Sequence, residues 1–156
     1  MSKQIEDLKK TRAFIINFTN ELTVEQLNEI PEGFSNNIIW NLAHLISAQQ
    51  GVCYMRAGLP VITEEKYFTL YKPGTKPEQF IDADEIEKIK QLLFTTLDKL
   101  AEDYNNGAFA DYKIWTTRYG VEINNIDDII SFLSFHDGLH TGYIMALKRC
   151  IQIEAI

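Results

Sequence analysis

The sequence has no apolar run of the roughly 18 residues that a membrane-spanning helix needs. Cysteine is also scarce, because Cys53 and Cys150 are the only two among 156 residues. Two cysteines cannot form a disulfide framework, so we expect free thiols in a reducing compartment. The first residues, MSKQIEDLKK, lead into an amphipathic stretch and not into the apolar segment of a signal peptide. These absences predict a cytoplasmic protein with no membrane partner.

The sequence also has no excess of basic residues. Lys and Arg total 15 against 22 Asp and Glu, which gives a formal net charge of −7. This charge repels nucleic acids, and the sequence contains neither a basic patch nor a recognition motif, so we expect no nucleic-acid partner. Hydrophobic residues make up 46% and charged residues 24%, values that are ordinary for globular proteins and exclude wholesale disorder. The length predicts a single domain, residues 1–156.

Four segments repeat apolar residues at three- and four-residue steps, and nearly all Pro and Gly residues lie between them. The first segment has an apolar stripe from Ile5 to Leu22, and Thr23 with Gln26 has the spacing of a capping box that opens a short helical turn. The second segment, residues 37–57, is apolar on most sides, which indicates a helix buried against several neighbours. The expected N-caps are Ser35 or Asn36 for the second helix, Asp82 for the third, and Asn124 or Asn125 for the fourth.

The connections between these segments differ in length and character. Residues 59–81 hold three of the four prolines and exceed what adjacent antiparallel helices need, which predicts a crossover. The third helix, residues 86–104, follows. Residues 112–123, YKIWTTRYGVEI, place β-branched and aromatic residues around a Tyr-Gly turn and predict a small hairpin before the fourth helix, residues 129–151. The expected fold is all-α: a four-helix bundle with a long crossover between helices two and three.

All three histidines, His44, His136 and His140, lie in the two helices expected to be most buried. His136 and His140 are four residues apart, so their Cβ atoms lie about 6 Å apart on one helix face and both imidazoles can bind one ion. His44 can complete the set, and an ion with three neutral ligands keeps an open position for water or substrate. The alternative is that each histidine is a core residue with a separate hydrogen-bond partner.

Other residues border this cluster. Trp40 and Asn41 lie about one helical turn before His44, and Tyr143 lies three residues after His140 on the same stripe. We therefore expect Trp40 to form a pocket wall, Asn41 to make a polar contact, and the Tyr143 phenol to donate to a bound oxyanion. Packing in the core is the alternative for the two aromatic residues.

Asp137 follows His136 directly but points about 100° around the helix, so a hydrogen bond to a ligand imidazole suits it better than a place among the ligands. Cys53 and Cys150 lie nine and ten residues from the nearest histidine in their helices, which is roughly 14 Å at 1.5 Å per residue. We expect neither thiol to bind the ion.

Two stretches, LTVEQLNEIPEGFSNNIIWNLAHL and FHDGLHTGYIMALKR, resemble the helix-one-to-helix-two region and the final helix of the DinB-like superfamily, whose last helix carries the pattern H-x-x-x-H-x-G. Residues 59–125 add only general helical character. The resemblance implies a four-helix bundle with a long crossover and a divalent metal ion held by His44, His136 and His140. Tyr143 departs from this family, in which Gln often follows the glycine, so no role of that Gln carries over.

Two classes of function are consistent with these patterns. The first is a metal-dependent enzyme for a small-molecule substrate, a hydrolase or, as some DinB-like proteins imply, a transferase that uses a low-molecular-weight thiol as cosubstrate. Its catalytic residues are not identified by the sequence. The second is a non-catalytic, stress-associated bundle that binds a metal or ligand, because no general base lies beside the histidines. Three imidazoles suit several metals, of which we expect zinc or nickel. A homodimer is also expected, because helix two is apolar on more faces than one core requires.

Overall fold

The computed structural model describes residues 3–154, and the side chains of residues 3–152. Its helices are α1 Lys3–Thr19, α2 Val24–Asn28, α3 Ile38–Gln49, α4 Glu65–Thr69, α5 Ala83–Asn105 and α6 Ile126–Glu154, and its strands are β1 Trp115–Thr116 and β2 Glu122–Ile123. Helix α3 continues through a π-helical turn, Gln50–Tyr54, and a 3-10 turn, Met55–Ala57. The second helical segment therefore ends at residue 57, as the sequence predicted.

The four long helices α1, α3, α5 and α6 form a bundle in which α1 and α3 each pack against both α5 and α6. One core cluster joins the C-terminal halves of α1 and α6 to the N-terminal halves of α3 and α5, through residues such as Ile15, Ile144, Ile39 and Ile86. A second cluster joins the opposite halves, through Ile5, Ile129, Cys53 and Leu100. Helices α3 and α5 therefore run parallel, so residues 58–82 must return along the bundle. The predicted bundle with a long crossover is confirmed.

The helix starts follow from local side-chain chemistry. The Asn37 side chain accepts a hydrogen bond from the backbone N–H of Trp40 at 2.8 Å, so Asn37 caps α3 and the expectation of Ser35 or Asn36 was wrong by one or two residues. Three consecutive cap-forming residues made the sequence ambiguous there. Asp82 caps α5, as predicted.

The two connections that flank α5 both fold over the bundle. The crossover contains α4, which the sequence did not predict, and it buries Tyr67 and Tyr71 against the core. In the second connection β1 pairs antiparallel with β2, and the turn between them has Gly120 at φ +78°, a conformation that favours glycine. This confirms the predicted hairpin.

Helix α3 is covered on every side by other parts of the chain. All twelve of its residues are buried, because α2, α4, α5 and α6 surround it. The surplus apolar surface on helix two, from which a homodimer was expected, is therefore not available at the surface. Within residues 3–154, no helix has both the length and the apolar character to cross a membrane.

Candidate metal centre

Three imidazoles converge where α3 packs against α6. His44 projects from α3, and His136 and His140 project from successive turns of α6. One ring nitrogen from each lies within 4.8 Å of those of the other two. The ring centroids are separated by 5.3 Å for His44 and His136, 4.6 Å for His44 and His140, and 4.7 Å for His136 and His140. The structure thus brings together the three histidines that the sequence singled out.

Two of the imidazoles are held by oxygen atoms that can only accept hydrogen bonds. His44 Nδ1 lies 2.5 Å from the backbone oxygen of Tyr71, and His140 Nδ1 lies 2.8 Å from Asn41 Oδ1. The orientation of Asn41 is set by its amide nitrogen, which donates to the backbone oxygen of Asn37 at 2.7 Å. Each Nδ1 must then carry the proton, so the Nε2 atom of each neutral ring keeps its lone pair. Two ring nitrogens are thereby prepared as metal ligands.

The environment keeps these two rings neutral. Burial lowers the pKa of His44 from 6.5 to about 4, although the hydrogen bond to Tyr71 opposes part of this change. Burial also lowers the pKa of His140 to about 3, and the neighbouring histidines and the Arg118 guanidinium add to the effect. A metal binds the unprotonated form of imidazole, so the burial favours the state that a metal requires.

His136 differs from the other two because its Nδ1 atom has no hydrogen-bond partner. This buried atom lies 3.5 Å from Asp137 Oδ1, which is also buried and without a partner. This separation is longer than an ordinary hydrogen bond, but the two side chains are close enough for His136 to lower the pKa of Asp137. Asp137 Oδ2 instead accepts a hydrogen bond from Arg12 Nε at 3.0 Å.

Arg12 is a fully buried arginine that the sequence reasoning missed. Its guanidinium donates to all three other long helices: to Asp137 of α6, to the Leu93 backbone oxygen of α5, and to the Gln49 side chain and Leu45 backbone oxygen of α3. Burial by itself raises the pKa of Asp137, but the Arg12 guanidinium and the neighbouring His136 together outweigh it and hold this pKa below its ordinary value. The signal was present in the sequence, because Arg12 occupies a position on the apolar stripe between Leu8 and Ile15.

A cavity of about 810 Å³ opens beside the imidazoles. It lies between α3, α6, the crossover and the hairpin, and the three histidines form part of its wall. Much of the remaining wall is aromatic: Trp40, Phe68, Trp115, Tyr119 and Phe132. Gly51 leaves room for the Phe68 ring, because a Cβ atom at position 51 would lie only 3.2 Å from that ring. The cavity is large enough for a small organic molecule.

The three residues predicted to border the pocket occupy different places. Trp40 lines the cavity, and its ring stacks on His44 with centroids 4.8 Å apart and an interplanar angle of 9°. Asn41 lies behind His140, where it orients that ring and does not reach the cavity. Tyr143 packs edge-on against Phe34, with centroids 5.5 Å apart, and it is absent from the cavity wall.

The charged residues of the cavity wall were also missed by the sequence reasoning. Arg56 and Arg118 line the cavity, and no Asp or Glu among the side chains of residues 3–152 does. Each guanidinium lies over an aromatic ring, Arg56 over Trp115 at 4.4 Å and Arg118 over Tyr119 at 4.9 Å. Arg56 lies at the C-terminal end of the second helical segment and Arg118 lies in the hairpin turn, and neither pattern indicated that the two residues line one cavity.

Neither cysteine belongs to this site. Cys53 is fully buried in the second core cluster, and burial raises the pKa of its thiol to about 12. Cys150 is partly buried near the end of α6, and both thiols are free, as predicted. The chain therefore supplies no thiolate to the cavity.

Comparison with known protein families matches the DinB superfamily over residues 7–144. This range begins in α1, ends within α6 and includes all three histidines. Comparison with curated proteins finds no match.

Proposed function

This chain belongs to the DinB superfamily, and from that membership and the converging imidazoles we propose that it is a metal-dependent enzyme. The family and the histidine cluster fit a metal-binding protein. We propose further that His44, His136 and His140 bind one divalent ion, zinc or nickel, and that the reaction transfers a low-molecular-weight thiol to a small electrophile.

The convergence of the three rings is the observation that carries this proposal. If the histidines were only core residues, each buried ring would need its own hydrogen-bond partner. The Nδ1 atoms of His44 and His140 each have one. These hydrogen bonds do not explain why ring nitrogens from two helices come within 4.8 Å of one another beside an open cavity. Three neutral nitrogen donors beside open space are the donor set of a metal site that accepts a further ligand.

A bound divalent ion supplies Lewis acidity, which lowers the pKa of a thiol or water molecule that it coordinates. The chain's own groups decide between these nucleophiles. Within the described part of the chain, no carboxylate lines the cavity to accept a proton from water, whereas a free thiol has a pKa near 8.5 and ionises more readily. Because Cys53 is buried and protonated, the thiol must come from solution. The aromatic wall would exclude water from the electrophile and strengthen the electrostatic interactions inside.

A second candidate function is a metal- or ligand-binding bundle without turnover. The observation in its favour is the same absence of Asp and Glu from the cavity wall, since most hydrolytic sites place a general base within hydrogen-bond reach of the nucleophile. Asp137 cannot serve, because it is fully buried and paired with Arg12.

Elemental analysis of gently purified protein tests the metal site. We expect about one divalent ion per chain, and we expect His136→Ala to remove it because two imidazoles alone bind weakly. Cys150→Ser is the control and should keep its metal. Equal metal content in His136→Ala and Cys150→Ser would contradict the site.

Activity assays test the reaction. Metal-loaded protein should accelerate attack of small thiols on a panel of electrophiles, and metal-free protein should not. A Cys53→Ala, Cys150→Ser double variant should remain active, because the nucleophile comes from solution. Equal rates with and without metal across the panel would favour the non-catalytic function.

A further inference from the structure

The charge of the cavity wall is opposite to the charge of the whole chain. The sequence carries a net charge of −7, yet the charged side chains that line the cavity, among those that the structure describes, are both arginines. Many of the lysines lie beside carboxylates in surface ion pairs, such as Lys9 with Asp98 and Lys66 with Glu85. Arg56 and Arg118 have no carboxylate partner among the described residues. The cavity is therefore locally positive.

Both guanidinium groups are positioned to hold a ligand. Arg56 lies over the Trp115 ring, and Arg118 lies over the Tyr119 ring and donates to its hydroxyl oxygen at 2.8 Å. Stacking on an aromatic face leaves the N–H edge of a guanidinium available, and this edge matches the oxygen atoms of a carboxylate or phosphoryl group. The neighbouring rings offer apolar surface to the rest of such a molecule.

A metal ion would add to the positive charge, because its three ligands are neutral. Imidazole ligands bring no negative charge to offset it, and no carboxylate of the described residues lines the cavity. An anion in the cavity would reduce the mutual repulsion of the ion and the two guanidinium groups. This part of the argument rests on the proposed metal site, whereas the arginine geometry does not depend on it.

We propose that the cavity binds a small organic anion, in which a carboxylate or phosphoryl group pairs with one or both of Arg56 and Arg118 and an apolar body packs against the aromatic wall. The substrate, or the thiol cosubstrate, belongs to this chemical class. Neutral molecules of the same shape bind more weakly.

Binding of two matched probes tests this inference. Phenylphosphonate carries the anionic group and benzyl alcohol is its neutral counterpart. Trp40 and Trp115, the two tryptophans of the chain, both line the cavity, so intrinsic fluorescence reports binding directly, and calorimetry verifies it. The titrations use metal-free and zinc-loaded protein. The variants are Arg56→Gln with Arg118→Gln as a double variant, Arg118→Lys, and Arg149→Gln as a control that removes an exposed arginine outside the cavity.

We expect the double variant to bind phenylphosphonate about tenfold more weakly than the wild type, the size of a lost charged hydrogen bond. Arg118→Lys should fall between them, because it keeps the charge but loses the planar fork. Arg149→Gln should match the wild type. Added salt should weaken the binding of phenylphosphonate and leave that of benzyl alcohol unchanged.

Equal affinity of the double variant and Arg149→Gln would overturn the inference, as would benzyl alcohol binding as tightly as phenylphosphonate. Zinc content is measured on every variant. If the wild type takes up no zinc, the proposed metal site fails and the metal-free titrations still decide this inference. If zinc binds and the arginines do not matter, this inference alone fails.

Discussion

Asn41 makes two hydrogen bonds that place one histidine. Its amide nitrogen donates to the backbone oxygen of Asn37 at 2.7 Å, and its oxygen accepts from His140 Nδ1 at 2.8 Å. Through this pair, the backbone at the start of α3 sets the tautomer of a ring on α6.

Replacing Asn41 tests whether this orientation matters. Asn41→Leu removes the acceptor, and we expect metal affinity to fall by about 10- to 100-fold, the usual cost of losing a partner of a ligand imidazole. Asn41→Asp keeps an acceptor for His140 Nδ1 but loses the donor to the Asn37 backbone oxygen, so its affinity should lie between those of the wild type and Asn41→Leu. Competition with a chromophoric chelator measures both. Equal affinity in the two variants would show that Asn41 does not position His140.

The lowered histidine pKa values predict how stability depends on pH in metal-free protein. In the folded chain the pKa of His44 is about 4 and that of His140 is about 3, against 6.5 when unfolded. At pH values between the folded and unfolded pKa values, these histidines are protonated in the unfolded chain and unprotonated in the folded chain. The free energy of unfolding should therefore fall as pH falls below about 6.5, by up to about 1.4 kcal/mol per pH unit for each histidine.

Urea denaturation of chelator-treated protein between pH 7 and pH 5 measures this slope. His44→Gln should show a smaller slope than the wild type, because one of the two titrating groups is gone. Identical slopes would mean that His44 is not protected from protonation in the folded state.

The sequence predicted the histidine cluster better than the residues that surround it. The spacing of His136 and His140 was a weak signal alone, and the placement of all three histidines in the two most buried helices and the resemblance to the DinB-like superfamily strengthened it. Arg12 was missed because a charged residue on an apolar stripe is ordinarily taken as the edge of the stripe. Its burial is possible only because Asp137, more than a hundred residues away in sequence, meets it in the folded chain.

Among the helices, the Arg12 guanidinium is a shared contact of all four long members of the bundle. It sets their relative register just beyond the histidine cluster, since Asp137 adjoins His136 on α6. Packing of the bundle and placement of the site are therefore linked through one side chain.

Removing the Arg12 guanidinium should destabilise the folded protein. Arg12→Met leaves Asp137 buried without a partner, and we expect it to lower the free energy of unfolding by about 3 to 5 kcal/mol. Arg12→Met combined with Asp137→Leu should recover much of that loss, because no charge is then left buried. Arg149→Met, on the exposed face of α6, is the control. Denaturant unfolding that finds Arg12→Met no less stable than this control would contradict the account.

Local sequence patterns predicted the positions of the long helices. They did not predict the π-helical turn after α3 or the short helix α4. Thr23 and Gln26 form both hydrogen bonds of the predicted capping box, because capping depends on neighbouring residues alone. The π-helical turn after α3 and the single-turn helix α4 depend on each other instead, since Gly51 in the first faces Phe68 in the second. Contacts of this kind have no signature in local periodicity.

For the molecule as a whole, the cavity was the least predictable feature. Its wall combines α3, the crossover, the hairpin and α6, and two of these segments lack an apolar repeat. The sequence predicted that the crossover and hairpin exist, but their approach to the histidines depends on contacts such as the one between Tyr71 and His44.

The homodimer stays a prediction, although its original reason no longer holds. Helix α3 is covered, while Phe135, Leu139 and Met145 on α6 are each more than 40% exposed. We expect sedimentation to find a species of twice the 18.0 kDa chain mass at high micromolar concentration. Leu139→Lys should shift it toward the monomer, and Lys113→Ala is the control. A single 18.0 kDa species at all concentrations would rule out the dimer.

X-ray absorption spectroscopy of zinc-loaded protein tests whether the three histidines bind the metal. We expect three imidazole nitrogens at about 2.0 Å from the metal and no sulfur. His44→Ala should reduce the imidazole contribution to two or abolish loading. A sulfur ligand at about 2.3 Å, or an imidazole contribution that His44→Ala leaves unchanged, would show that the metal binds elsewhere.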